Sequence, residues 1–502
     1  MKPRVSLREA LNDPSLMGHV LAGESFKATR TILIASMGEE LTDDERPLFT
    51  KLTGRAHEPL QRVSELVEVI GRRGSKTQGM AACATYLAGL VDYRDVLVPG
   101  ETGVLLCLAQ DQRVAKQLLD YCEANFAASP ILSQLVLNRT SDTIELKGNI
   151  RIEVRPASFR KLRGPTYIAV IADEVAFWFT EEGRVNIDTE IIASVTPGLL
   201  TTHGMLIMAS SPYAKRGVLW DVYKKHFGPN GSPSVLVCQG TTRDFNPTIE
   251  QSEIDRLLEK DPARNAAEYL AIFRTDLQPY VSIEAAESCV DAGVFERPPN
   301  DKTTYYGFVD PSGAAVDSFT ACVAHMNYGE QTVTIDAIRE TKVPFSPEQV
   351  CEEYAKLFQS YRIGTIFSDK YAGAWPVEQF GRFGIRCEQS AKPKSDLYTD
   401  LLPLILSARV HLIDHPKMIA QLCALERRTA RGGRDSIDHP PNGFDDIINA
   451  VAGAVSISLF RYGSYNLRAM GDGDDDDDPD GARAWRARRL SAFIYSGGLV
   501  RL

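Results

Sequence analysis

Val67-Glu68-Val69-Ile70-Gly71-Arg72-Arg73-Gly74-Ser75-Lys76-Thr77 decides the architecture of the first half of the chain. A β-branched run enters a short cationic loop with two glycines, and the residues from Gln78 to Leu90 then predict a helix. Strand, loop and helix in this order are what phosphate binding requires. Backbone N–H groups at the turn and the helix N-terminus face anionic oxygens, Lys76 adds a point charge, and Thr77 offers a hydroxyl to Mg²⁺. The glycines do not fit the pattern G-x-x-x-x-G-K-[ST]. Counting back from Lys76, Ile70 and Ser75 stand where glycine is expected, and Gly71 and Gly74 are displaced. An ordinary basic strand-to-helix turn is the competing reading, so the rest of the chain has to decide.

A chain of 502 residues exceeds one ordinary core and predicts two to four domains. With 44% hydrophobic and 24% charged residues, it has the balance of a globular protein rather than a disordered or fibrous one. No apolar run approaches the length that spans a bilayer, and Met1-Lys2-Pro3-Arg4 opens no signal-peptide core. Nine cysteines, odd in number and without a C-x-x-C pair, predict reduced core residues; a disulfide framework and a zinc site are excluded. The net charge of −10 does not advertise a polyanion-binding surface. The tail does not account for it, since from Gly471 onward seven Asp face five Arg, leaving about −8 on the remainder. Contact with nucleic acid must come from local basic patches and be sensitive to salt.

Before the loop, Leu41 to Arg46 predicts a capped helix start with Thr42 or Asp43 as N-cap, and Thr53-Gly54-Arg55 a turn. This region either helps hold a nucleotide base or forms a covering helical layer. After the loop, Gly103 to Ala109 is the continuous apolar run of a buried parallel strand, and Gln112 to Phe126 is amphipathic at helical spacing. Thr143 to Leu146 and Asn149 to Val154 alternate strictly around Lys147-Gly148, a hairpin signal. Tyr167 to Ala172 is the next buried strand and delivers Asp173-Glu174 to its C-terminal end, where ligands bind in parallel sheets. Such a pair is the second half of a P-loop ATPase site: Asp173 toward Mg²⁺ and Glu174 toward the attacking water. Met205 to Ala209, ending in Ser210-Ser211-Pro212, and Ser234 to Gln239 are further strands, with Asp261 to Arg274 helical. The alternation predicts a doubly wound, mostly parallel P-loop ATPase domain over 1–285.

Arg297-Pro298-Pro299-Asn300-Asp301 marks a linker, placed at 286–303. Over 304–465 the pattern changes. Tyr305 to Val309 runs into Asp310, and Ser318 to His325 and Thr332 to Arg339 follow as strands. A helix (Pro347 to Tyr361), a strand from Gly364 to Ser368 ending at Asp369, and a late helix opening at Gly443-Phe444-Asp445-Asp446 complete it. This is the element order of a ribonuclease H-like mixed α/β domain. Asp310, Asp369 and the pair Asp445/Asp446 fall at the first strand end, the fourth strand end and the late helix, where carboxylates converge on divalent metal. Residues 466–502, rich in Gly and Asp from Gly471, predict a disordered acidic tail, and Arg483 to Arg489 around Trp485 either dock or stay passive.

A P-loop ATPase followed by a ribonuclease H-like nuclease resembles the large subunit of the terminase, the DNA-packaging motor of tailed bacteriophages. The resemblance spans about Leu41 to Leu459 and takes in the displaced glycines, because that family commonly carries G-R-R-G-x-K-[ST], which Gly71 to Thr77 matches. Leu162-Arg163-Gly164, Ile171-Ala172-Asp173-Glu174, Ala209-Ser210-Ser211-Pro212, Ser368-Asp369-Lys370-Tyr371-Ala372-Gly373 and Asn442-Gly443-Phe444-Asp445-Asp446 also have its look. Phe444 departs from it. The family often has His there, so that side chain takes no metal or acid role.

The resemblance implies that Gly71, Arg72, Arg73, Gly74, Ser75, Lys76, Thr77 and Asp173 bind ATP with one Mg²⁺. Arg73 would reach the γ-phosphate, Glu174 would be the catalytic base, and Ser210 and Ser211 would lie in the coupling motif. Arg163 would act as an arginine finger on a neighbouring subunit, worth about 10³ or more in rate, which implies a ring, pentameric by resemblance. Asp310, Asp369, Asp445 and Asp446 would hold two Mg²⁺ or Mn²⁺ ions for endonuclease chemistry. Lys370, Lys394, Arg427, Arg428, Arg431 and Arg434 are candidates for DNA backbone contacts. The implied partners are double-stranded DNA, the portal protein and the small terminase subunit, with no membrane. The setting would be the bacterial host cytoplasm, with transient docking on the procapsid. A cellular helicase-nuclease and a scaffold that does not hydrolyse ATP are the alternatives.

Overall fold

The computed structural model describes residues 2–157, 162–178, 187–311, 318–369, 375–429, 435–441 and 443–471. Lys370, Arg431, Arg434 and the tail from residue 472, which carry some of the expectations above, lie outside them. The chain forms two compact units, the first reaching Leu277 and the second running from Gln278.

The first unit is built on an eight-stranded sheet: β1 (Glu65–Ile70), β2 (Gly103–Ala109), β3 (Val136–Arg139), β4 (Thr143–Leu146), β5 (Ile150–Pro156), β6 (Thr166–Asp173), β7 (Met205–Ser210) and β8 (Val235–Gly240). The spatial order is β8-β1-β7-β6-β2-β5-β4-β3. The six strands from β8 to β5 run parallel, and β4 and β3 extend the sheet antiparallel. The apolar run of β2 has the physical cause expected of it. Leu105, Cys107 and Ala109 enter one core, Val104, Leu106 and Leu108 the other, so no polar residue can alternate. The helices Lys76–Leu90 and Gln112–Ala128 supply the first core, and Ile187–Leu200 and Gly217–His226 the second. In β4 and β5, by contrast, Ile144, Leu146, Ile150, Ile152 and Val154 face one core while Glu145 and Arg151 alternate toward solvent. The expected helix start at Thr42 or Asp43 moves to Arg46, with Pro47 in the first turn, while residues up to Glu45 form a turn on the Thr42 carbonyl.

In the second unit a seven-stranded sheet comprises β9 (Val290–Asp291), β10 (Tyr305–Asp310), β11 (Phe319–Asn327), β12 (Thr332–Thr341), β13 (Thr365–Ser368), β14 (Arg386–Gln389) and β15 (Val410–Ile413). Its order is β9-β15-β12-β11-β10-β13-β14. β11 is antiparallel to both β10 and β12, and β13 and β14 continue parallel from β10. From β10 onward, the first five strands therefore stand in the order third, second, first, fourth, fifth, the arrangement of a ribonuclease H-like domain. Part of the stretch read as a linker is structured: Val290 and Asp291 pair with Leu412 and Ile413. The last helix, Asp446–Gly471, outruns the expected end at Leu459. Ile447, Ile448, Val451 and Val455 bury its first half in the core. All nine cysteines are free thiols, eight of them buried. Among the described residues no helix is long and apolar enough to cross a membrane.

Candidate functional site

In the first unit β1 ends at Ile70 and the next helix begins at Lys76, so the loop turns in five residues. Such tightness explains its composition. A Cβ on Gly71 would lie 2.6 Å from the Thr242 amide nitrogen, and one on Gly74 would lie 2.5 Å from Ile70 Cγ2 and 2.8 Å from the Gly71 carbonyl. The displaced glycines are thus fixed by close approach. Left-handed backbone falls instead on Arg73 (φ +65) and Ser75 (φ +60), side chains that rarely adopt it. Neighbouring segments hold the loop there. Thr242 Oγ1 donates to the Arg72 carbonyl at 2.7 Å, Asn246 Nδ2 donates to the Arg73 carbonyl at 3.1 Å, and the Gly71 amide donates to the Gly240 carbonyl at 3.1 Å. Arg72 and Arg73 are exposed, Thr77 is half-buried, and Lys76 is buried.

Sheet order brings the acidic pair to this loop. β7 lies between β1 and β6, and its end touches both partners. Lys76 Nζ donates to the Ile70 carbonyl at 3.2 Å and to Ser211 Oγ at 3.1 Å, and stands 3.4 Å from Glu174 Oε1. Glu174 Oε2 accepts from Ser210 Oγ at 3.1 Å and from the Ser211 amide at 3.3 Å. Glu174 itself has left-handed backbone, φ +50. Asp173 is buried, and its Oδ1 has no hydrogen-bond partner among the described residues. Burial, then the adjacent Glu174 carboxylate, push its carboxyl up to about 7, with Lys76 opposing. A buried carboxylate oxygen without a donor, at a strand end beside a lysine, fits a hard divalent cation accompanying a polyphosphate. Glu68 on β1 is a third acid, 1% exposed, with Oε2 unpartnered among the described residues; burial pushes it up to about 7. Its signal lay in the opening stretch, as a charge inside a strand buried on both faces.

Arg163 is not brought to this cluster. It is exposed and precedes Thr166, the first residue of β6, whereas Asp173 is the last. At ~3.3 Å per residue the two ends of that strand lie roughly 23 Å apart.

The second unit gathers the other expected acids. Asp310 ends β10, Asp369 follows β13, and Asp446 opens the long helix. Burial pushes the Asp310 carboxyl well above the usual carboxylate range, opposed by a hydrogen bond from Asn449; Asp446, Asp445 and Asp369 add to the rise, so all four share one field. Asn449 Nδ2 donates to Asp310 Oδ2 at 2.8 Å. The Ser318 amide donates to Asp446 Oδ2 at 3.2 Å, and Asp369 Oδ1 is buried without a partner among the described residues. Crowded carboxylates with a buried, donorless oxygen fit Mg²⁺ or Mn²⁺, whose ligands are oxygens.

Asp445 has different company. Tyr398 OH donates to its Oδ2 at 2.7 Å, and Lys394 Nζ lies 2.6 Å from the same oxygen and 3.2 Å from Asp438 Oδ1. Burial pulls the Lys394 ammonium down, but the carboxylates of Asp445 and Asp438 outweigh it and hold it above its ordinary value. The position of the helix carrying Asp446 is set by Gln421, whose Oε1 accepts from the Ile447 amide at 3.0 Å and the Ile448 amide at 3.1 Å. Asn449, Tyr398 and Gln421 were missed from sequence. Only Asn449 left a usable signal, lying one helical turn after Asp446 and hence on the same face.

No protein-family model and no curated protein sequence matches the chain. Solved structures do. The large terminase of bacteriophage HK97 is 15% identical, covers 79% of this chain and 91% of its own, and has a TM-score of 0.35. The large terminase of a thermophilic bacteriophage is 12% identical over 82% of this chain and 97% of its own, with a TM-score of 0.37. The large terminase nuclease of another thermophilic phage, G20c, is 15% identical, covers 35% of this chain and 96% of its own, and has a TM-score of 0.30. The chain is thus similar to phage large terminases.

Proposed function

We propose that the chain is a viral DNA-packaging motor subunit of the large terminase kind, coupling ATP hydrolysis to translocation of double-stranded DNA and cutting that DNA with a second, metal-dependent site. One observation carries this reading: each unit presents a carboxylate cluster at its strand ends, and only the first adds a lysine-bearing phosphate loop. In the first unit Gly71, Arg72, Arg73, Gly74, Ser75, Lys76 and Thr77 cradle the phosphates of ATP, and Asp173 and Thr77 hold its Mg²⁺. Glu174 orients and deprotonates the attacking water. Ser211, bonded to both Lys76 and Glu174, and Ser210, bonded to Glu174, register any displacement of either. Arg73 reaches the γ-phosphate from its own chain, and Arg163 reaches that of a neighbouring copy in a ring.

In the second unit Asp310, Asp369 and Asp446 hold divalent metal, with Asp445 beside them. Bound there, metal supplies an activated water and charge stabilisation at the leaving oxygen. Asn449 orients Asp310 for that task. Lys394, Arg427 and Arg428 contact the DNA backbone rather than its bases, as a motor indifferent to sequence requires. The portal protein and a small recognition subunit complete the assembly on the procapsid in the host cytoplasm.

The test separates the two sites in one preparation. Glu174→Gln is expected to abolish ATP hydrolysis while Mn²⁺-dependent cleavage of plasmid DNA persists, and Asp310→Ala to do the reverse. Loss of both activities from either single change in a folded protein would refute two independent sites.

A further inference from the structure

Asp445 and Asp446 are adjacent in sequence, yet their surroundings differ in charge. Both add to the field at Asp310, Asp446 ahead of Asp445, and Asp446 takes a hydrogen bond from the Ser318 amide. Asp445 is 4% exposed, and its Oδ2 already meets an ammonium, Lys394 at 2.6 Å, and a phenol, Tyr398 at 2.7 Å. Its Oδ1 faces His439 Nε2 at 4.0 Å. The Lys394 ammonium is also shared with Asp438 at 3.2 Å, and a quarter of its side chain stays open to solvent. The placement runs against local electrostatics. Lys394 is the first residue of the helix Lys394–Leu406, at the end where the backbone dipole disfavours a cation. Ser395 Oγ accepts from the Ile437 amide at 2.9 Å, which fastens this helix end to the segment bearing Asp438.

We infer that Asp445 is a positioning residue rather than a metal ligand, holding the Lys394 ammonium on its own side of the acid cluster to bind a phosphate oxygen of the nucleic-acid strand. The inference rests on the nuclease reading above. A carboxylate balanced by an ammonium gains little from a metal ion. An ammonium anchored by two carboxylates keeps one geometry and one open face for phosphate.

Mn²⁺ titration of the full chain by calorimetry, beside DNA cleavage kinetics, tests it on Asp445→Asn, Asp446→Asn, Lys394→Gln and Lys394→Arg. Asp446→Asn is expected to weaken Mn²⁺ binding by about tenfold or more. Asp445→Asn and Lys394→Gln are expected to leave Mn²⁺ affinity within about threefold, to raise KM for DNA by similar factors, and in combination to raise it no further. Each should lower the salt dependence of DNA binding by about one phosphate contact, and Lys394→Arg should restore part of the KM. The inference is overturned, with the nuclease reading intact, if Asp445→Asn weakens Mn²⁺ binding as much as Asp446→Asn, or if the Asp445 and Lys394 effects multiply. Lys394→Gln lies at a part-exposed side chain and decides the matter alone if Asp445→Asn fails to fold: unchanged Mn²⁺ affinity with a raised KM supports the inference, and an altered metal stoichiometry ends it. Native protein that neither binds Mn²⁺ nor cuts DNA removes the nuclease reading and the inference together.

Discussion

At the residue scale, Ser75 holds φ +60 at the start of the helix that follows the Gly71–Ser75 loop, without a capping hydrogen bond from its hydroxyl. Left-handed backbone costs a residue with a Cβ about 1–2 kcal/mol, and the contacts of Thr242 and Asn246 to the loop offset it. Ser75→Gly is expected to stabilise the protein by up to about 1 kcal/mol and to keep ATP affinity, whereas Ser75→Val should lower both. Urea melts and nucleotide titration read this out. Glu68 offers a pH test. Its ordinary value of 4.5 is raised by burial to about 7, so between those values the folded state holds a proton that the unfolded state releases. Stability therefore falls as pH rises from about 4.5, and the whole penalty, on the order of 3 kcal/mol, is present above about 7. Glu68→Gln should leave the melting temperature near that of the native protein at pH 5 and raise it at pH 8. Asp173, also raised to about 7, keeps its share of the slope in that variant.

Elements place these residues, and here sequence was informative to an uneven degree. Buried parallel strands announce themselves because a strand covered on both faces has no polar alternation. β2 was legible to the residue and β6 to within one residue at each end for that reason, and Asp173 came with β6. Element ends governed by distant partners were not. The helix opening at Asp446 is capped by Gln421, separated by 26 residues from the Ile447 amide it receives, and no periodicity reports such a partner. The same holds for Tyr398, 47 residues from Asp445. Gln421→Leu is expected to cost about 1–2 kcal/mol, as loss of a buried cap does, and to lower kcat of DNA cleavage through Asp446 while leaving ATP hydrolysis untouched. Chemical denaturation with parallel assays of both activities checks it. The Phe444 side chain, excluded from chemistry on sequence grounds, is half-buried, and the imidazole nearest Asp445 comes instead from His439.

At the scale of the whole molecule, two α/β units each close around their own cores, and each carries its carboxylates where parallel strands end. The order of elements made both units legible, since alternating strands and helices, then three strands before a helix, are patterns of chain order. Sheet order was not legible. The insertion of β7 between β1 and β6, which sets Ser210 and Ser211 between Lys76 and Glu174, follows from packing rather than from local pattern. One dimension of that sheet has a kinetic corollary. Because β6 holds Asp173 at one end and follows Arg163 at the other, Arg163 stands a strand's length from the Asp173 of its own copy. If Arg163 completes the site of a neighbour, hydrolysis is a reaction of order above one in protein. Turnover per chain should then climb with concentration toward a plateau, and Arg163→Ala should flatten that curve at its dilute limit. Mixing Arg163→Ala chains with inactive Glu174→Gln chains should raise turnover above that dilute limit, because an intact base and an intact arginine then meet across one boundary.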